Sequence, residues 1–202
     1  MTHRAPTTED IIAPAPNRPA IPDKVALRRQ LLAMRRAITP EQKTQWDDLI
    51  GQQLWQWCQR QQVPSLAVYA PIRNEPDLNA TLVRLHQAGV QLCLPVVQQA
   101  DSPLAFAHWS PQTAMTRDHF GVAVPAYPQW CPLPEYVLIP CVGFNAARFR
   151  LGYGGGFYDR TLAAASHPVC SIGIAYACLA QEFEAGEYDV ALSRIVTEQG
   201  TC

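Results

Sequence analysis

The segment Arg148-Phe-Arg-Leu-Gly-Tyr-Gly-Gly-Gly-Phe-Tyr-Asp-Arg160 concentrates the residue types that could do chemistry. Gly152, Gly154, Gly155 and Gly156 fill four of five consecutive positions, so no side chain blocks close approach and backbone N–H groups can converge on an anion. Between a strand and a helix such a loop forms a phosphate cradle at the positive end of the helix. No Lys-Ser/Thr pair follows it, and the spacing and acidic partner of a dinucleotide fingerprint are missing. Arg148, Arg150 and Arg160 flank the glycines and would add charge against a polyphosphate. The glycines alone leave a second role open, a tight turn that packs two elements together.

Carboxylates beside such a cradle create a conflict. Asp159 stands three residues after the last glycine, where it would complement the helix dipole by up to about 1 kcal/mol but repel a bound phosphate. A bridging Mg²⁺ removes the conflict and calls for a second carboxylate, since hard cations prefer oxygen ligands. Asp189, in Glu187-Tyr-Asp-Val-Ala-Leu192, is the candidate. Upstream, Lys24 and Arg28 are four apart and share a helical face. Like charges at that spacing repel by a few tenths of a kcal/mol, a cost that a bound anion would reverse; a solvated basic face that includes Arg35 is the alternative. In Arg73-Asn-Glu-Pro-Asp77, Glu75 could accept hydrogen bonds from an amino-heterocycle of pterin type, or cap the next helix with Asp77. The spacing admits either.

These residues need elements to position them. Leu27, Leu31, Met34 and Ile38 recur at helical steps. Thr39-Pro-Glu-Gln42 then predicts a fresh helix start with a capping box, followed by Trp46, Leu49, Ile50, Leu54 and Trp57 on one face. Residues 66–72, 90–97, 104–109, 136–144 and 169–176 predict strands, 77–88 and 157–166 helices, and 150–156 a loop. The alternation predicts an α/β fold, a mostly parallel sheet flanked by helices on both faces in a single three-layer domain over residues 23–202. Residues 1–22 hold five of the 18 prolines without apolar periodicity and are expected to be a flexible tail. Ligands of such sheets bind beyond the carboxyl ends of the strands, which places the loops after Ile72 and Phe144 at the site.

Composition narrows the classes. With 48% apolar and 16% charged residues over 202, the chain can bury a full core. Sixteen basic against 17 acidic side chains argue against a protein that coats nucleic acid or a membrane. No apolar run nears the roughly 20 residues of a membrane span, and the N-terminus lacks a secretory signal pattern, so a cytoplasmic monomer is expected. The seven cysteines form no CxxC pair; Cys93, Cys141, Cys170 and Cys178 lie in or beside apolar runs and are expected as small buried hydrophobes, with no disulfides. The five histidines share no metal-ligand or triad spacing.

Together, Arg150-Leu-Gly-Tyr-Gly-Gly-Gly-Phe-Tyr-Asp159, Lys24-Val-Ala-Leu-Arg28, Arg73-Asn-Glu75 and Tyr188-Asp-Val-Ala-Leu-Ser-Arg-Ile-Val-Thr-Glu198 resemble the 5-formyltetrahydrofolate cyclo-ligases, also called methenyltetrahydrofolate synthetases. The resemblance runs from about residue 23 to 198. It implies an ATP- and Mg²⁺-dependent ligase that converts 5-formyltetrahydrofolate to 5,10-methenyltetrahydrofolate, ADP and phosphate. By the same resemblance Lys24, Arg28 and Arg150, Leu151, Gly152, Tyr153, Gly154, Gly155, Gly156, Phe157 and Tyr158 hold ATP. Ala70, Glu75, Tyr153, Gly154, Gly155, Gly156 and Phe157 meet the folate, Arg150 and Tyr153 are catalytic, and Asp159 and Asp189 bind the metal. Two departures stand out: Gly155, where some members carry lysine, and Tyr188 and Ser193, where many relatives have histidine and a further aspartate. Two competing readings are another ATP-using ligase on the same fold and a non-catalytic folate- or nucleotide-binding module.

Overall fold

In the computed structural model, which describes residues 23–201, the Asp23 carboxylate accepts a hydrogen bond from the Val25 amide at 3.2 Å and opens helix α1 (Lys24–Arg36). The expected tail, residues 1–22, and Cys202 lie outside the described residues. Helix α2 (Pro40–Gln61) starts as predicted, with Pro40 in the first turn and both hydrogen bonds of the Thr39/Gln42 capping box. Ile50, Leu54 and Trp57 are buried on its inner face. Leu49 is 38% exposed: at about 100° per residue it falls roughly 60° to the far side of Trp46, off the stripe it was expected to join.

The remaining elements are β1 (Ser65–Ala67), α3 (Asn79–Gln87), β2 (Gln91–Val96), β3 (Ala105–Trp109), β4 (Met115–Arg117), β5 (Ala123–Pro125), β6 (Trp130–Cys131), β7 (Tyr136–Pro140), β8 (Gly143–Phe144), β9 (Arg150–Leu151), α4 (Phe157–Ala163), β10 (Cys170–Ile174), β11 (Arg194–Thr197) and β12 (Gly200–Thr201). The main sheet runs β12-β11-β10-β7-β1-β2-β3-β6. Its five central strands, β11 to β2, are parallel, and the edges are antiparallel. Chain order reverses between β1 and β7, which makes that point the topological switch of the sheet.

Alternation along these strands divides the core. Leu66, Leu92, Leu94, Leu138, Ile172 and Ile174 pack with residues of α1, α2 and α3. Ala67, Cys93, Val137, Ile139 and Ile195 face the other way, toward Tyr158 and Leu162 of α4. Helices therefore cover both faces, as the sequence predicts. Several strand limits differ. The run 66–72 stays in the ladder only to Ala67, and Pro71 has no amide to extend it. The run 136–144 divides after Pro140, and its last part pairs back with β9 as a hairpin, so Arg150 and Leu151 are strand rather than loop. β11 and the β4–β5 hairpin went unpredicted.

The six described cysteines are free. Cys93 and Cys141 are buried as expected, Cys170 only partly, and Cys178 is exposed because the short turn Ala177–Leu179 sends Leu179 inward instead. Among the described residues no helix is long and apolar enough to cross a membrane.

Candidate active site

A cleft of about 520 Å³ lies over the carboxyl ends of β1, β2 and β7. Every residue that the resemblance assigns to ATP, folate, metal or catalysis lines it: Lys24 and Arg28 from α1, Ala70 and Glu75 from the loop after β1, residues 150–159, and Asp189. A second hollow of about 630 Å³ opens near the start of β2, lined by His86, His108, Trp109 and Tyr127. It offers no lysine, arginine or carboxylate, so of these two hollows the first has the charge to hold a polyphosphate and a cation.

The glycine loop gets its path from backbone freedom and from the arginines around it. Gly154 has φ +99°, which side chains rarely tolerate, and Arg28 lies across the loop, its Nε donating to the Gly152 carbonyl at 2.7 Å. Gly156, at φ +64°, caps α4. Arg160 closes the loop's far side by donating to the Gly155 carbonyl at 2.5 Å.

Two ion pairs hold the carboxylates. Arg150 Nη2 meets Asp159 Oδ2 at 2.9 Å, and the other Asp159 oxygen accepts from the Val190 amide at 3.3 Å, which brings the Asp189 backbone beside it. Lys24 Nζ meets Asp189 Oδ2 at 2.6 Å, and the Gly186 amide donates to that oxygen at 2.7 Å. Burial raises the Asp189 carboxyl, but the Lys24 and Gly186 hydrogen bonds and the charges of Lys24 and Arg150 outweigh it and hold it below the usual range. Arg150 Nη1 is buried without a hydrogen-bond partner. Among the described residues no three His, Cys, Asp or Glu side chains gather around a point. Asp159 and Asp189 are the cleft carboxylates that could hold a divalent ion, with its remaining oxygens supplied by a ligand and water.

In the same cleft Glu75 is 2% exposed. Its Oε2 accepts from the Ile72 amide at 2.9 Å and its Oε1 from the Tyr153 hydroxyl at 2.8 Å. Burial pushes its carboxyl up, and those two bonds and the charges of Arg35 and Arg73 only partly restore it. Asp77, not Glu75, bonds the Asn79 amide at the start of α3, so Glu75 does not cap that helix. Tyr153 is itself pushed well up, chiefly by burial and then by the neighbouring Glu75 charge.

Two readings of the arginines fail. Arg35 is fully buried rather than solvated: steps of four from Leu27 through Leu31 carry it onto the inward face of α1, a signal already in the sequence. Arg148 turns away from the loop, its Nε donating to the Leu192 carbonyl at 3.1 Å. Lys24 is ion-paired to Asp189. Sequence reasoning also missed the tip of the β4–β5 hairpin, where Asp118, Phe120 and Val122 reach the cleft wall and the Phe120 ring sits 6.3 Å from that of Phe157. Ser193 bonds Ser171 of β10.

A parallel sheet with a charged, glycine-lined cleft at its switch point defines an α/β ligand-binding protein of the doubly wound kind. The model of the 5-formyltetrahydrofolate cyclo-ligase family matches residues 20–198, and the chain belongs to that family. A 5-formyltetrahydrofolate cyclo-ligase of Mycoplasma pneumoniae is 30% identical over 181 residues, 88% of this chain and 99% of the relative. That of Escherichia coli K12 is 29% identical over 170 residues, 81% of this chain and 93% of the relative. Among solved structures, a 5,10-methenyltetrahydrofolate synthetase from Mycoplasma pneumoniae superposes with a TM-score of 0.74 at 29% identity, covering 87% of this chain and 99% of that one. The Aquifex aeolicus 5,10-methenyltetrahydrofolate synthetase gives 0.77 at 23% identity over 88% and 91%, which speaks to the fold.

Proposed function

We propose that this chain is a cytoplasmic, monomeric ligase that uses ATP and Mg²⁺ to convert 5-formyltetrahydrofolate to 5,10-methenyltetrahydrofolate, ADP and phosphate. One observation supports the reading beyond family membership: a single cleft is lined by the cationic glycine loop, by Asp159 and Asp189, and by the buried Glu75, whose carboxylate accepts from the loop's own Tyr153. The formyl oxygen on N5 is a poor leaving group, so it must be activated. It attacks the γ-phosphorus, the bond to the β-phosphate oxygen breaks, and ADP leaves. N10 then attacks the formyl carbon, the C–O bond breaks with phosphate, and N10 loses its proton as the ring closes.

Phosphoryl transfer needs positioning and charge neutralisation more than a protein nucleophile. Lys24, Arg28 and the backbone from Leu151 to Tyr158 hold the triphosphate. Arg150, whose free Nη1 lacks an acceptor, meets the charge that develops on the transferred group. Asp159 and Asp189 would hold Mg²⁺, whose charge would offset that of the phosphates. Glu75 takes the amino-pyrimidine edge of the pterin, Ala70 gives an apolar contact, and Tyr153 and Phe157 lie where the two substrates meet.

Purified protein with Mg-ATP and 5-formyltetrahydrofolate should form the near-ultraviolet methenyl chromophore with one ADP per turnover. Folded protein that binds both ligands without releasing ADP would be a binding module instead. Turnover of another acceptor, indifferent to Glu75→Ala, would mark a different ATP-using ligase.

A further inference from the structure

A hydrogen-bonded line runs from the core into the cleft and begins at a residue with no assigned role. Arg35 is 0% exposed, and no carboxylate among the described residues lies within ion-pair distance of it. Its Nε donates to the Arg73 carbonyl at 3.0 Å, its Nη1 to the Cys141 carbonyl at 3.3 Å, and its Nη2 to the Tyr153 hydroxyl at 2.5 Å. That hydroxyl in turn donates to Glu75 Oε1 at 2.8 Å.

A guanidinium removed from water without a directly paired anion is costly, and an aliphatic side chain would fill the same core position without that cost. The arrangement makes sense through the phenol. A hydroxyl has one proton and can act as donor or acceptor; with Arg35 donating to its oxygen, the proton is left to point at Glu75. The Arg73 guanidinium also lies 5.1 Å from the centre of the Tyr153 ring.

We propose that Arg35 is a positioning residue for the substrate site, fixing the Glu75 carboxylate through the Tyr153 hydroxyl on one side and through the Arg73 carbonyl, at the root of the Glu75 loop, on the other. The inference rests on Glu75 being the folate-binding carboxylate. The charged groups facing Glu75 are Arg35 from α1 and Arg73 from its own loop; Tyr153, Tyr69, Tyr158 and Cys141 face it from the neighbouring segments. The two arginines favour its ionised form. Loss of Arg35 should therefore move the acid limb of folate use to higher pH.

The test compares Arg35→Met, Arg35→Lys, Tyr153→Phe and the double variant Arg35→Met/Tyr153→Phe, measuring kcat and KM for 5-formyltetrahydrofolate and for ATP across pH. One hydrogen bond to a charged group corresponds to about ten- to a hundredfold in affinity. Tyr153→Phe and Arg35→Met should each raise the folate KM by that factor, and the double variant should be no worse than Arg35→Met alone. Arg35→Met should shift the acid limb of kcat/KM for folate upward, leave the KM for ATP in place, and be rescued in its pH profile by Arg35→Lys. Multiplying effects in the double variant would overturn the proposal, as would equal rises in both KM values with an unmoved acid limb, the mark of a purely structural arginine. If Arg35→Met does not fold, Tyr153→Phe with wild-type folate KM overturns it equally. A wild-type enzyme that forms no methenyl product would sink the proposed function instead.

Discussion

Replacing Asp159 with asparagine separates what its carboxylate does for the free protein from what it does for a bound cation. The side chain keeps an oxygen for the Val190 amide, but an amide nitrogen now faces Arg150 Nη2, where the carboxylate stood at 2.9 Å. Breaking a fully buried pair costs about 3–5 kcal/mol. Here the Arg150 side chain is 6% exposed and that of Asp159 21%, so solvent recovers part of the loss and about 2–3 kcal/mol is expected. For a domain of this size that corresponds to a fall in Tm of about 4–12 °C. The decisive measurement is thermal unfolding with a non-hydrolysable ATP analogue, with and without Mg²⁺. Saturation at a hundred times Kd stabilises a protein by about 2.7 kcal/mol; in Asp159→Asn the increment that Mg²⁺ adds should vanish while the metal-free increment persists. An undiminished Mg²⁺ increment would refute the metal role, and an unchanged Tm without ligand would refute the ion-pair accounting.

Two cleft carboxylates with shifted titration, Glu75 and Asp189, should move stability in opposite directions with pH. Glu75 is raised, so its contribution is complete below the unfolded value and is lost as pH rises through the folded one; urea unfolding of Glu75→Gln should gain on wild type from acid to neutral pH. Asp189 is lowered, so its contribution is present above the unfolded value and is lost as pH falls through the folded one; Asp189→Asn should be less stable than wild type at neutral pH and converge with it in acid. Gly154→Ala places a side chain at φ +99° and should cost about 1–3 kcal/mol in urea unfolding. Gly152→Ala, with nothing within 4 Å of the added carbon, should stay within about 0.5 kcal/mol. In the core, a methyl added at Gly143 would lie 2.5 Å from Leu31 Cδ1, so Gly143→Ala and Leu31→Ala should each destabilise, the latter by about 3–5 kcal/mol. The double variant should lose less than their sum; strict additivity would show that the two sites do not share space.

Local rules carried the reading furthest where neighbours in sequence are also neighbours in space. The start of α2 at Thr39-Pro40 with its box to Gln42 is such a case, as is the glycine loop ahead of α4. Strand limits were less legible, because a ladder ends where its neighbour ends. The run after Leu66 looks extended to Ile72, yet β1 stops at Ala67, and β11 lies in a short, mixed segment that becomes a strand by pairing beside β10. The β4–β5 hairpin gave no amphipathic signal, since β4 is exposed along its length. Arg35 was misplaced for another reason. Its charge argued for solvent, and only the three acceptors of its guanidinium explain how it stays buried.

The sequence by itself singled out the residues proposed for phosphate, cation and an amino-heterocycle, because those capacities reside in side-chain chemistry and in the bare backbone of the glycine loop. The tertiary structure alone decided how they are deployed: Lys24 against Asp189, Arg150 against Asp159, and Arg35 through Tyr153 to Glu75. Each of these partnerships joins segments far apart in the chain, and burial sets their strength. Distance and exposure are properties of the fold, and no spacing along the chain contains them.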